Sequence, residues 1–183
     1  MNFGSMRSPF GWETNRDSMD AAELVSRYNQ GERDFREVHL SGLSLWKVNL
    51  SEADFSGADL VGVDFSEANL AGVNLSGANL TGTNLHHANL TDAKLILATL
   101  RGANLERVEL IKANLAQADL SWANLSQANL SGANLTGANL VDAKMEGLIL
   151  RAANLKRAKL KSQLQQEQVD LAWAIMPDGL IHG

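Results

Sequence analysis

The main feature of this sequence is a hydrophobic residue at every fifth position. It begins at Leu40 and continues without an insertion to Leu160, over 25 consecutive five-residue words. The residue two positions earlier in each word is small or β-branched, most often Ala, and the residue between the two is usually Asn or Asp. Internal repetition of this kind determines the whole fold, so it is interpreted before any local propensity.

A period of five matches neither an α-helix, with about 3.6 residues per turn, nor a continuous strand, with a period of two. It matches three extended residues followed by a two-residue corner. Residues two apart in a strand point to the same side, so Ala128 and Leu130 would face inward and Asn129 outward. Ser, Thr and Gly fill the corner positions, as in Ser131 and Gly132, and these residue types favour turns. The sequence therefore predicts a coil of short strands and corners.

Successive coils would pair as parallel strands about 4.8 Å apart, which places each Leu above the equivalent Leu of the coil below. Fully burying one Leu contributes roughly 1.5–3 kcal/mol, so the inward column can drive folding. The period alone leaves open whether three or four words complete one coil.

The N-terminal end of the repeat is predicted to carry a capping helix at residues 20–31, because an uncapped solenoid exposes its core. Asp20 and Glu23 form a capping-box pattern, and Gly31 can end the helix. The residues that share its apolar face are Ala21, Leu24, Val25 and Tyr28. Trp46, close to this helix in sequence, is expected to pack beneath it.

The five-residue word breaks down after Leu160. Ser162 and Gln165 fit a second capping box, which predicts a short helix. The stretch from Pro177 to Gly179 has the composition of a tight turn, so the apolar residues on either side of it would pair as a hairpin. The predicted organisation is an N-terminal arm at 1–19, the capping helix at 20–31, the repeat at 33–162 and a C-terminal cap at 163–183.

Composition limits the kind of protein this can be. The chain is 45% hydrophobic but only 5% aromatic, so its core must consist of small and medium side chains. Cys is absent, which excludes disulfides, thiolate zinc sites and a cysteine nucleophile, and fits a reducing compartment. No signal segment and no apolar run of about 18 residues is found. We therefore expect a soluble cytoplasmic protein with no membrane partner.

No catalytic, cofactor-binding or metal-binding residue is predicted. The Ser and Thr hydroxyls occupy corners without a recurring His–Asp partner, and the corner glycines lack the following helix that a phosphate loop needs. His86 and His87 are the one adjacent histidine pair. They could contribute to a weak metal site, but a solvated pair is the favoured interpretation.

Charge divides the repeat into an acidic and a basic part. Residues 51–93 carry six acidic and no basic residues, a sum of −6, and residues 143–161 sum to +5. The acidic residues are Glu52, Asp54, Asp59, Asp64, Glu67 and Asp92, and the basic ones are Lys144, Arg151, Lys156, Arg157, Lys159 and Lys161, against Glu146. This polarity could orient the protein toward a partner, or it could be a chance fluctuation of outward charges.

The words ADFSGADL at 53–60 and SQANLSGANLTGANL at 126–140 resemble the A(D/N)LXX consensus of the pentapeptide-repeat family. The resemblance implies an all-β fold: a right-handed parallel quadrilateral β-helix with four words per coil and about six coils. With four words per coil, residues twenty apart would be neighbours, so His87 would lie beside Glu67 and Arg107.

The resemblance also implies a function class. We expect a non-enzymatic structural or interaction module with an unidentified protein partner, no cofactor and no direct contact with nucleic acid. We expect a monomer or a homodimer formed through a cap. The alternative is a DNA mimic that binds a type II topoisomerase such as gyrase, as some family members do. The acidic coils favour this alternative, and the basic coils oppose it.

Overall fold

The structure, a computed structural model, describes residues 19–160 and 168–183. Within these ranges it contains one α-helix, α1 (Ala21–Asn29), and a long series of isolated β-bridges. From Asp34 to Lys159 the bridges are parallel and join residues twenty positions apart; Asn69, for example, pairs with both Asn49 and Asn89. Asn69 N donates to the Val48 carbonyl at 2.9 Å, and Leu70 N donates to the Asn89 carbonyl at 2.8 Å. The chain therefore returns to the same face after four words.

Each corner is a β-turn that uses the left-handed backbone region. Ala58 N donates to the Phe55 carbonyl at 3.0 Å, and Gly57 between them has a φ of 69°. The same sign of φ recurs at every fifth residue from 37 to 157. A positive φ at the third turn position is what a type II turn requires. Ten of these positions hold Gly and 15 hold other residues, so the corner geometry is imposed by the coil as a whole.

The interior is filled by the Ala and Leu positions, as the word predicts. Leu90, Ala88 and Phe55 have no exposed surface, and the equivalent residues of neighbouring coils form one continuous hydrophobic cluster. In the described part of the chain, the buried polar residues are Thr83 and Ser121. Thr83 occupies an Ala position, and its hydroxyl donates to the Leu80 carbonyl at 2.7 Å, which removes the cost of burying it.

Helix α1 packs against the first coil. Asp20 Oδ1 accepts from Glu23 N at 2.8 Å, as the capping pattern predicts. Leu24 and Tyr28 are buried in the same hydrophobic cluster as the coil interior. The Tyr28 hydroxyl donates to the Ser51 carbonyl at 3.0 Å. This bond links the helix to the repeat. The predicted arm at 1–19 lies outside the described residues except for Met19, which is buried.

The C-terminal residues continue the coil before they leave it. Asp170 pairs with Ile149 and Ile175 pairs with Asn154, both in parallel and both twenty-one positions apart. The repeat therefore resumes one residue out of step, within the part that the sequence assigned to the cap. Ile175 then pairs with Ile181 in an antiparallel bridge across the turn at Pro177 to Gly179. The helix predicted from Ser162 and Gln165 lies outside the described residues.

Candidate interaction surfaces

Four polar ladders cover the sides of the coil. The side-chain amide of Asn104 donates to Asn84 Oδ1 at 3.0 Å, and similar bonds join other Asn residues to the Asn or Asp one coil below. The same Oδ1 atoms accept the backbone N–H two residues further along, as Asn129 does from Ser131 at 3.1 Å. These side chains already satisfy one another, so they serve mainly to hold the coils in register.

The histidine pair lies on one corner of the coil, where the twenty-residue register places it. The rings of His86 and His87 lie edge to face, with centroids 4.4 Å apart. His87 N donates to the Glu106 carbonyl at 3.1 Å, and Glu67 N donates to the His86 carbonyl at 2.8 Å. His86 Nδ1 is buried and has no hydrogen-bond partner.

These neighbours do not complete a metal site. Across residues 19–160 and 168–183, no group of three or more His, Cys, Asp or Glu side chains is arranged to hold a metal ion. That the protein has no catalytic, cofactor or metal site remains a prediction.

Two residues of the first coil lie beside acidic residues of the rod, and one of them, Lys47, is a cation. Lys47 Nζ lies 3.2 Å from Glu67 Oε2, and His39 Nδ1 lies 3.8 Å from Asp59 Oδ2. The hydrogen bond from Lys47 lowers the pKa of Glu67. The sequence showed the six acidic residues but did not show these pairings, because the partners lie outside the 51–93 window.

The basic part is less neutralised. Arg151 pairs with Asp170, and the hydrogen bond from this guanidinium lowers the pKa of Asp170. Lys156, Arg157 and Lys159 are exposed, and no carboxylate of the described chain lies within ion-pair distance of them. An exposed basic cluster (Lys156, Arg157 and Lys159) therefore lies near the C-terminal end of the rod.

Large exposed apolar side chains occupy corner positions. Trp46, Leu97, Trp122 and Trp173 are each more than half exposed. The expectation that Trp46 packs beneath α1 is wrong. Residue 46 directly follows the inward Leu45, so its side chain points outward, and Lys47 Nζ lies 4.3 Å from its ring centroid. The position of Trp46 within its word was the signal that could have predicted this.

The described helix is too short to cross a membrane, and no other candidate span is found in the described ranges.

The fold and the surfaces together define a parallel β-solenoid built from five-residue words. The family model for pentapeptide repeats matches residues 34–70, 58–95, 88–127 and 123–162. The chain belongs to the pentapeptide-repeat family, whose known fold is the right-handed quadrilateral β-helix.

Solved structures of similar proteins include HetL, a pentapeptide repeat protein involved in heterocyst differentiation regulation, from the cyanobacterium Nostoc sp. strain PCC 7120. It is 30% identical, with a TM-score of 0.31, and the match covers 90% of this chain and 100% of that one. A pentapeptide repeat protein from Cyanothece 51142 is 25% identical over 80% of this chain and 95% of that one, with a TM-score of 0.38.

QnrB1, a plasmid-mediated fluoroquinolone resistance protein, is 19% identical to this chain. The match covers 78% of this chain and 79% of that one, with a TM-score of 0.41. A search among curated proteins returned no match.

Proposed function

We propose that this protein is a non-enzymatic interaction module that presents the surface of a rigid right-handed coil, of about six turns, to a protein partner. In this proposal α1 and the C-terminal residues close the two ends, and the protein acts in the cytoplasm as a monomer or as a homodimer formed through a cap. The family supports the class, since pentapeptide repeat proteins are generally structural or interaction proteins.

The observation that carries this proposal is the filled interior. Among the described residues, the buried side chains are apolar except for Thr83 and Ser121. No Asp, Glu or Lys lies among them to act as an acid, base or nucleophile, and His86, whose Nδ1 is enclosed, is only half-buried. The functional groups of the protein are therefore on its surface, where they can contact a partner.

The exposed basic cluster is the surface that we expect to orient the partner. Its three cations lie several coils away from the acidic residues. They therefore present one sign of charge to an approaching molecule. Such a contact should be sensitive to salt, because the Debye length falls from about 10 Å at 0.1 M to about 3 Å at 1 M.

The test is affinity capture from the native source with the immobilised protein, followed by mass spectrometry. A triple variant, Lys156→Gln, Arg157→Gln and Lys159→Gln, should lose the partner. The matched control, Lys94→Gln, Arg101→Gln and Lys112→Gln, removes three exposed cations from the middle of the rod and should keep it. A partner that both triple variants retain equally, or catalytic turnover that a single substitution abolishes, would contradict the proposal.

A DNA mimic that binds a type II topoisomerase is the second candidate, and the acidic coils are the feature in its favour. The ion pair of Glu67 with Lys47 reduces the negative charge of that surface. A gyrase supercoiling assay separates the two candidates. Inhibition by the wild-type protein, relieved in the variant Glu52→Gln and Asp92→Asn, would favour the DNA mimic.

A further inference from the structure

One side of the rod sorts its charges by sign along the rod axis. This side, which we call the Lys94 face, is the ladder of bridged residues from Asp54 to Asn154. It is bordered by two corners, at residues 51–52 and 56–57 and at their repeats every twenty residues. Over the face and both corners, the charged residues are acidic from 51 to 92 and basic from 94 to 157. The acidic residues are Glu52, Asp54 and Asp92, and the basic ones are Lys94, Lys112, Arg151, Lys156 and Arg157.

The other sides of the rod mix the two signs over the same length. Beyond residue 94, the next face and its far corner carry Arg101 with Asp119 and Asp142, and the following corner carries Arg107 with Glu106 and Glu146. The sorting is therefore a property of the Lys94 face.

Most of the sorted charges are free to pair with another molecule. The side chains of Glu52, Asp92, Lys94 and Lys112 are exposed, and none of the four forms an ion pair with a residue of the described chain. Arg151 pairs with Asp170, but its side chain is also exposed. A surface that is acidic in one half and basic in the other is complementary to its own reversed copy.

We propose that the Lys94 face binds the same face of a second copy, with the two rods antiparallel about a two-fold axis. The axis lies between the faces, across the rods, midway between the levels of Lys94 and Asn114. Rotation about it places each corner against the same corner of the other copy, in reversed order. Glu52 then lies at the level of Arg151 of the other copy, and Asp92 lies at the level of Lys112 of the other copy. By symmetry each pair occurs twice.

The uncharged residues of the face fit the same register. In the ladder, Asp54 lies opposite Asn154 of the other copy and Lys94 lies opposite Asn114, so no like charges are directly opposed. On the second corner, Leu97 lies close to the axis, at the level of Ala116 of the other copy. Leu97 is 60% exposed in the single chain, and this contact would cover it.

The size of the contact predicts a weak dimer. From Glu52 to Arg151 the face is about 24 Å long, at five coil steps of about 4.8 Å, and about 16 Å wide, at five residues of about 3.3 Å. Two copies therefore bury about 800 Å² in total, less than the roughly 1,200 Å² at which stable interfaces begin. The dimer should form at micromolar concentration and depend strongly on salt.

The contact is isologous, so it closes and does not continue into a filament. It uses one side of the rod and leaves both ends free, as well as Lys159 of the exposed basic cluster, which lies on the next face. The inference thus goes beyond the proposed function and does not replace its contacts.

The first test is the molar mass of the full chain, measured by light scattering and sedimentation from low to high micromolar concentration. At low salt the mass should rise toward twice 19.8 kDa. In 1 M salt it should remain near 19.8 kDa, because the Debye length is then only about 3 Å.

The second test is an exchange of charges across the axis. The double variant Glu52→Lys and Asp92→Lys opposes cations to cations in its own dimer, and the double variant Lys112→Glu and Arg151→Glu opposes carboxylates to carboxylates. Each should be monomeric alone. Their equimolar mixture restores every opposed pair, so it should form a dimer with the mass of one copy of each. If the second variant is not folded, Asp92→Lys mixed with Lys112→Glu tests one pair in the same way.

The matched control is the double variant Glu106→Lys and Glu146→Lys. It changes the net charge by the same amount as Glu52→Lys and Asp92→Lys, but on a corner that does not border the Lys94 face. It should dimerise like the wild type. Melting curves of all variants verify that they are folded.

Four results would overturn the inference: a wild type that is monomeric at high micromolar concentration and low salt, a dimer that survives Glu52→Lys and Asp92→Lys, folded variants that do not pair when mixed, or an equal loss of the dimer in the control. A face that binds another protein instead of a second copy would give the first result. A monomer that still captures its partner through the exposed basic cluster would leave the proposed function standing, so the two failures can be distinguished.

Discussion

The side-chain amide of Asn84 donates to Oδ1 of Asp64 at 3.0 Å, although twenty residues separate the two. The same oxygen accepts the N–H of Ser66 at 3.0 Å and its hydroxyl at 2.6 Å. Asn104 in turn donates to Asn84 at 3.0 Å. One side-chain oxygen thus holds a corner of its own coil and contacts the next coil. The outward Asn and Asp positions are therefore structural as well as solvent-facing.

Replacing Asp64 should test this double role. Asp64→Ala leaves the N–H of Ser66 and the amide of Asn84 without their acceptor, and we expect the free energy of unfolding to fall by about 1–2 kcal/mol. Asp64→Asn keeps an acceptor oxygen and should cost less. Urea denaturation of both variants measures the difference, and equal losses would show that the oxygen does not hold the corner.

The same carboxylates should make stability depend on pH. The hydrogen bonds from Ser66, together with the one from Asn84, hold the pKa of Asp64 below its ordinary value of 3.8. Partial burial raises the pKa of Asp119, but the hydrogen bonds from Ser121 and Asn139 outweigh it and lower that pKa as well. Because the unfolded chain binds these protons first as the pH falls, the stabilisation is complete above 3.8 and is lost as the pH falls through the lowered values.

The measurement is the urea midpoint from neutral pH down to about pH 2. The double variant Asp64→Asn and Asp119→Asn cannot titrate at these positions, so its midpoint should fall less steeply than that of the wild type below pH 3.8. Parallel curves for the two proteins would show that other carboxylates determine the acid sensitivity.

Much of this fold can be predicted from the sequence because each five-residue word has the same pattern of inward, outward and corner residues. The inward places of Ala88 and Leu90 follow from the step of five, and the capping bond of Asp20 follows from its spacing to Glu23. The number of words per coil does not follow from the period. It depends on which coils pair, and only the bridges between residues such as Asn69 and Asn89 determine it.

The candidate surfaces were harder to predict, because they depend on contacts between words. The pairing of Lys47 with Glu67 joins two coils and lies partly outside the acidic stretch. The resumed coil at Asp170 follows a change of register by one residue, which conceals it from a search at a fixed step.

The corners predict that some substitutions to Gly are stabilising. Leu97 has a φ of 60° and an exposed side chain, so it bears the strain of the left-handed region without gaining buried contacts. Leu97→Gly relieves the strain but adds freedom to the unfolded chain. We expect a net increase in the free energy of unfolding of a few tenths to about 1 kcal/mol. Thermal melting and urea denaturation measure it.

The control lies in the same corner, one coil below. Gly77 has a φ of 67°, and an added Cβ would have no atom within 4 Å, so backbone strain is the main effect of Gly77→Ala. This variant should be less stable than the wild type by about 1 kcal/mol. If Leu97→Gly also destabilised the protein, the side chain of Leu97 would have to make favourable contacts that its exposure does not indicate.

The assignment of inward and outward positions leads to the largest expected loss of stability. Leu90 has no exposed surface, and Leu90→Asn would bury an amide among Leu and Ala side chains, at a cost of several kcal/mol. The adjacent Asn89 donates to Asn69 at 3.4 Å and accepts from Thr91 N at 3.0 Å. Asn89→Ser loses the long amide bond but keeps a hydroxyl that can accept from Thr91, so it should cost about 1 kcal/mol or less. Urea denaturation of the two neighbouring variants compares them directly, and similar losses would mean that residue 90 does not face the core.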